Sequence, residues 1–323
     1  MSLGFFRFLH RAAPALGLGF VLAFGSSIGQ TYFISLFAGE LRAELNLSHG
    51  AFGGLYTLAT VASAATLVWL GKLADRFSLV ALSLVTLGAL VAFALVMAQV
   101  ETLLGLGLAL YGLRLGGQGM MSHLAITAMG RWFVRERGRA LSVATLGFPA
   151  GEALLPGLVA VLLGTMAWRS VWVTMAIVLG GVLLPTVWWL GRVVHRRHLD
   201  RPQRLSTAAD APEVTPWTRR QVLRDGRFYA LLPGLLAPPF IITGVLFHQV
   251  HLVTLKGWSL AGFAACYPLY AGCATAVALG LGGLVDRLGA IRLLGFYLLP
   301  LAMGWTLGAV RAAPETAAVC MGV

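Results

Sequence analysis

Two charged residues, Arg114 and Glu152, interrupt long apolar runs. Arg114 stands about eleven residues into a run that begins near Leu103. In a helix rising 1.5 Å per residue that is roughly 16 Å, near the middle of a hydrocarbon layer about 30 Å thick. Glu152 stands about twelve residues into the next run, at a similar depth. A charge at that depth costs on the order of 3 kcal/mol on insertion scales, so it needs a partner or a use. A guanidinium is a fixed cation that binds carboxylates through paired hydrogen bonds. A carboxyl group in a poorly hydrated cavity can carry an exchangeable proton. Three readings follow. The two form a structural ion pair between consecutive spans; or Arg114 contributes to an anion site while Glu152 carries the coupled proton; or they face different surroundings and only one is functional. Gln118, four residues after Arg114, shares its helix face and offers a second polar contact.

Other polar positions are sparser. Gln30 and Tyr32 follow the small stretch Gly25-Ser26-Ser27-Ile28-Gly29, in which Gly25 and Gly29 form a close-packing GxxxG. His248 and His251 lie toward the end of a later apolar run, where histidine serves as an interfacial hydrogen-bonding residue or a proton relay. No His/Cys/Asp/Glu cluster has metal-ligand spacing, so no metal is expected. Three cysteines, Cys266, Cys273 and Cys320, make no disulfide framework. There is no nucleotide-binding G-x-x-x-x-G-K-[ST] loop, which argues against a primary pump and leaves no cofactor implied. A membrane-embedded enzyme would need a catalytic cluster facing a cavity, and none is visible.

The elements that carry these residues follow from composition. Of 323 residues, 58% are hydrophobic and 11% charged, with a mean hydropathy of +0.83. Soluble proteins carry about 25% charged residues. This is therefore an all-α polytopic membrane protein. Nine complete spans are predicted, roughly at 13–37, 51–71, 79–99, 103–126, 140–163, 170–191, 228–253, 258–281 and 291–310, with a tenth beginning near Thr316. Between the sixth and seventh lies a polar, proline-bearing stretch that has too little apolar content to fold alone. This gives three units: 1–191, a bundle of six helices; 192–227, a basic linker; and 228–323, an incomplete second bundle. Alternating the loops with the N-terminus in the cytoplasm puts nineteen of the 24 lysines and arginines inside and four outside, with Arg114 left within a span. The net charge of +12 thus reads as orientation bias and lipid contact, not as nucleic-acid binding.

Between spans two and three stands Gly71-Lys72-Leu73-Ala74-Asp75-Arg76; between spans eight and nine stands Gly282-Gly283-Leu284-Val285-Asp286-Arg287. The copies are 211 residues apart, with Gly, Leu, Asp and Arg in register. Internal repeats of this kind mark secondary transporters. Glycine allows close helix approach, and each aspartate precedes a helix, where it can meet the helix N-terminus or a neighbouring cation and latch one state. With this G-x-L-x-D-R repeat the chain resembles the major facilitator superfamily. The resemblance implies two six-helix bundles with a substrate site between them at mid-membrane, exposed to each side in turn. In the first copy Ser78 stands where the family motif has its second glycine.

Arg131-Trp132-Phe133, Arg137-Gly138-Arg139-Ala140, Gly147 and Gly151, with Gly29-Gln30-Thr31-Tyr32-Phe33 and Phe247-His248-Gln249-Val250-His251, resemble bacterial relatives of the monocarboxylate transporters. The better-known carriers of that family place an arginine in the eighth helix. Here residues 258–281 carry no charge, and Gln30 or Thr31 stands near the place of a first-helix lysine found in some members. The expectation is a secondary transporter, not an enzyme, in the inner (plasma) membrane. It would move a small organic solute, a monocarboxylate or another organic anion, with protons as the coupling partner and no obligate protein partner. Export of hydrophobic compounds is the alternative within that class. A non-transporting remnant is another, because the second half reaches only three complete spans and reads as C-terminally incomplete.

Overall fold

The computed structural model describes residues 3–133, 136–196 and 219–276, together with Phe296, Leu298, Leu299 and Ala302. Among the described residues all regular structure is helical. The long helices are α1 (Leu3–Gly25), α2 (His49–Leu70), α3 (Leu79–Ala98), α4 (103–132), α5 (Gly147–Leu163), α6 (Trp168–Arg196), α7 (Gly226–Phe247) and α8 (Leu260–Ala276). Several starts are set by a polar cap. The side chains of Ser48, Ser78, Thr102, Asp225 and Ser259 accept hydrogen bonds from backbone N–H groups at the first turns of α2, α3, α4, α7 and α8. Ser78, the departure from the family motif, is therefore the residue that starts α3.

Helix α1 packs against α4, α5 and α6; α3 packs against α4 and α6; α2 lies along α4; and α5 meets α8. In a membrane apolar side chains gain little by leaving lipid for protein, so close packing at small residues selects the contacts. Gly112 of α4 lies against the ring of Phe93, and a Cβ there would come within 2.2 Å of it. Gly29 is tighter still: its Cβ would lie 2.0 Å from the Leu113 carbonyl oxygen and 2.7 Å from the Gly117 Cα. Large apolar side chains such as Leu58, Trp69, Val85 and Leu104 point outward. The buried aromatic core is Trp172 with Phe33 and Phe37, ring centroids 5.5 and 4.9 Å away.

Among the described residues six helices are individually long and apolar enough to cross a membrane. Three spans differ from expectation in their interior. The first, predicted at 13–37, starts at Leu3 and stops being α-helical at Gly25. It continues as a 3₁₀ turn over Ser26–Gly29, a single α-helical turn over Thr31–Ile34 and a 3₁₀ turn over Ser35–Phe37, with Gly29 drawing its backbone against α4. The fourth is continuous over 103–132 but is π-helical from Arg114 to Met121. The seventh breaks after Phe247 and resumes as Gln249–Lys256. Most of the ninth span, the tenth and most of the 192–227 linker lie outside the described residues.

Candidate functional site

Arg114 opens the π-helical segment of α4 and is only 6% exposed. Its Nη1 donates to the Thr31 hydroxyl at 3.0 Å and to the Gly29 carbonyl at 3.3 Å. The Tyr56 hydroxyl, on α2, donates to the same Thr31 oxygen at 2.9 Å, and the Tyr56 ring lies 5.3 Å from the guanidinium carbon. These contacts hold the cation by dipoles and a ring face, without a counter-ion among the described residues. The guanidinium Nε has no hydrogen-bond partner among the described residues; nor have the Gln118 side-chain oxygen and the Thr60 hydroxyl. Arg114 lines a cavity of about 600 Å³ between α2 and α7, which Thr57, Thr60, Thr243 and His248 also line. Its remaining wall is apolar, with Val61, Leu236, Pro239 and Phe240. An unpaired guanidinium donor in such a chamber can hold one anionic group while the apolar wall takes a hydrocarbon body.

The structural ion pair between Arg114 and Glu152 does not form. The ion pairs among the described residues are Arg11–Glu136, Arg131–Asp75 and Arg169–Glu44. Glu152 instead belongs to the neighbourhood of Tyr32, Tyr267 and Tyr270. The reason lies one residue back. Gly147 and Gly151 pack α5 against α1, where a Cβ on Gly151 would lie 2.0 Å from the Ser27 hydroxyl. The next residue points about 100° further round the helix, toward α8, on which α5 also packs. The two charges therefore face different surroundings.

Gln30 and Tyr32 flank Thr31 but do not meet Arg114 themselves. The Gln30 amide reaches the Ser26 hydroxyl at 3.4 Å. Tyr32 is 3% exposed, and its hydroxyl lacks a well-formed hydrogen bond among the described residues. Its carbonyl oxygen accepts from the Gln249 amide at 2.7 Å. The same amide donates to the Ser35 hydroxyl at 2.7 Å, and the Tyr267 hydroxyl donates to the Gln249 side-chain oxygen at 2.7 Å. Ser35 in turn donates to the Leu246 carbonyl at 2.6 Å. Gln249 is fully buried and joins the end of α1 to α7 and α8. Thr31, Tyr56, Gln249 and Tyr267 are the site residues not predicted. Thr31 and Gln249 stand inside the quoted strings Gly29–Phe33 and Phe247–His251, but nothing in the sequence singles out Tyr56.

At the opposite end of α2, the Asp75 carboxylate accepts from Arg131 of α4, which also donates to the Ala74 carbonyl. The expected neighbouring cation is therefore present, whereas the start of α3 is served by Ser78. Gly71 lets the chain turn beside His123, whose ring would be 3.5 Å from a Cβ. Arg76 is exposed. Gly282, Asp286 and Arg287, the second copy, lie outside the described residues.

None of the curated proteins matches the chain. Among solved structures the fold is similar to a bacterial homologue of the human lysosomal transporter Spinster. Its inward-facing, unoccupied form gives a TM-score of 0.71 at 16% identity, over 100% of this chain and 74% of that one. Its inward-facing, occupied form gives 0.65 at 17% identity, over 100% and 73%. At this identity the likeness is one of fold. The sequence model of the Major Facilitator Superfamily matches residues 19–323, nearly the whole chain, and the all-helical fold agrees with it, so this multi-pass membrane protein belongs to the Major Facilitator Superfamily.

Proposed function

We propose that this transporter moves a small organic anion by alternating access, with Arg114 as the anion contact and Glu152 as the carrier of a coupled proton. The observation that carries the reading is the Arg114 guanidinium: buried, on a cavity of about 600 Å³, and with neither a counter-ion nor an Nε partner among the described residues. His248 assists at that cavity, Gln118 offers a second polar contact one turn after Arg114 on α4, and Tyr32 belongs to the proton side with Glu152. In this reading residues 1–191 and 228–323 are the two moving units, 192–227 links them, and the N-terminus is cytoplasmic, in an inner membrane. The Asp75–Arg131 contact then latches the cytoplasmic side, as Gly282, Asp286 and Arg287 would in the second unit.

Purified protein in proteoliposomes tests this with a panel of labelled monocarboxylates under an imposed pH gradient. Arg114→Gln should cut uptake roughly 10- to 150-fold, the value of a charge-assisted hydrogen bond. Glu152→Gln should keep anion exchange and lose gradient-driven accumulation. Wild-type uptake by Arg114→Gln would overturn the anion contact. The apolar wall of Val61, Leu236 and Phe240 favours one second reading, export of hydrophobic compounds. In that case uncharged compounds would be carried and Arg114→Gln would carry them equally well.

A further inference from the structure

A second cavity, of about 240 Å³, lies at the end of the protein away from Asp75. Arg42, His49, His248 and His251 all line it. These residues come from three elements: the Ala38–Glu44 helix, the first residue of α2, and the break and short helix after α7. The His49 and His251 rings are 4.5 Å apart between centroids. Arg42 donates through Nε to the Leu47 carbonyl at 3.3 Å, and its two terminal amino groups make no hydrogen bond or ion pair among the described residues. No carboxylate lines the cavity. On the elements around it, Glu44 is taken by Arg169 at 3.1 Å, and burial pushes the Glu40 carboxyl above its ordinary value, toward its neutral form. The other titratable groups on those elements are Lys256 and Tyr56, neither of which lines it. The positively polarised start of α2 adds to the same field.

We propose that this cavity is a second anion site, an outer vestibule in which Arg42, His49, His248 and His251 hold a small carboxylate or inorganic anion before it reaches Arg114. Its size suits a compact anion; sites for drug-sized ligands measure about 300–1,000 Å³. Phe247 and His248 line both this cavity and the Arg114 cavity, so they form the wall between them. That wall sits where α7 breaks, and the Phe247 ring is held between Phe52, stacked at 5.6 Å, and Tyr56 at 4.6 Å. Displacing it joins the two cavities. What the vestibule feeds rests on the anion reading of Arg114, but its own binding does not. An imidazole gains a positive charge on protonation, so acid strengthens the vestibule and leaves a site built on arginine alone unchanged.

The test is a ¹⁹F NMR titration of the purified full chain with trifluoroacetate, which stays ionised at both pH 8 and pH 5.5. Two sites are expected. Arg42→Gln should remove one of them and Arg114→Gln the other. The vestibule site should bind at least fivefold tighter at pH 5.5 than at pH 8, and replacing His49, His248 and His251 together with glutamine should abolish that difference. His251 makes no hydrogen bond among the described residues, so its variant is informative even if Arg42→Gln fails to fold. A single site lost with Arg114→Gln and untouched by Arg42→Gln and His251→Gln overturns the vestibule and leaves the proposed function standing. A site lost only with Arg42→Gln supports the vestibule and removes Arg114 as an anion contact. No binding at either pH overturns both.

Discussion

Replacing Gln249 with leucine removes the polar junction between α1, α7 and α8 while keeping most of its volume. Three hydrogen bonds of 2.7 Å are lost. Within membranes such bonds average about 0.6 kcal/mol each, giving about 2 kcal/mol. The Tyr267 hydroxyl, its residue 3% exposed, is also left without an acceptor, which adds about 1 kcal/mol. Ser35 keeps its bond to the Leu246 carbonyl, so the junction is weakened and not abolished. In the proposed alternating-access cycle the cost of 2–3 kcal/mol falls only on the state in which this seam is closed, the same groups meeting water when it opens. The closed-to-open ratio should therefore fall roughly 30- to 150-fold. Gly39 reports on the seam, since a Cβ there would sit 3.8 Å from Val250, an ordinary contact. In a background lacking the native cysteines, Gly39→Cys should react with a membrane-impermeant maleimide at least 30-fold faster once Gln249→Leu is added. Ser35→Ala should give a smaller acceleration. An unchanged labelling rate in correctly inserted Gln249→Leu protein would refute the seam as a latch.

Other outcomes follow from single contacts. Gly29→Ala should prevent stable folding, since its Cβ meets backbone atoms at 2.0 and 2.7 Å that cannot move aside; Gly54→Ala, with nothing within 4 Å, should leave the thermal midpoint of detergent-solubilised protein unchanged. Asp75→Asn should slow transport more than it lowers expression, because a largely exposed ion pair contributes under about 1 kcal/mol to stability. Reversing the pair with Asp75→Arg and Arg131→Asp should restore part of the rate; equal transport by wild type and Asp75→Asn would remove the latch.

The sequence conveys architecture well and direction poorly. The helical architecture and the Asp75 loop both follow from run length and loop charge. The partners of Arg114 do not. In a soluble helix the apolar stripe tells which face is buried, but α2 and α3 are apolar on every side, so Tyr56 is not distinguished from its neighbours. Orientation is set by small residues at close crossings, whose partners come from other helices. Gly29 reads as a packing residue from the sequence, yet its partner Gly117 and the resulting break in the first span emerge only in three dimensions. Glu152 fails as a partner of Arg114 for the same reason, its direction being dictated by Gly151 against Ser27.

The short turn after that break ties the two halves of the site together. Thr31 holds Arg114 through its hydroxyl, and one residue later the Tyr32 carbonyl holds Gln249. The first contact faces the cavity and the second closes the seam between α1 and α7. An anion that takes up Arg114 has to compete with Thr31 and the Gly29 carbonyl for the same Nη1. Whatever it draws away loosens the turn Thr31–Ile34, and with it the carbonyl on which Gln249 rests. A ligand shifts a two-state equilibrium only through its differential affinity for the states. Here the difference has a physical source. In the proposed cycle Arg114 would be shared between ligand and turn with the seam closed, and would be free for the ligand alone with it open. The π-helical stretch Arg114–Met121 suits that exchange, because such bulges mark places where a helix can readjust its register at modest cost.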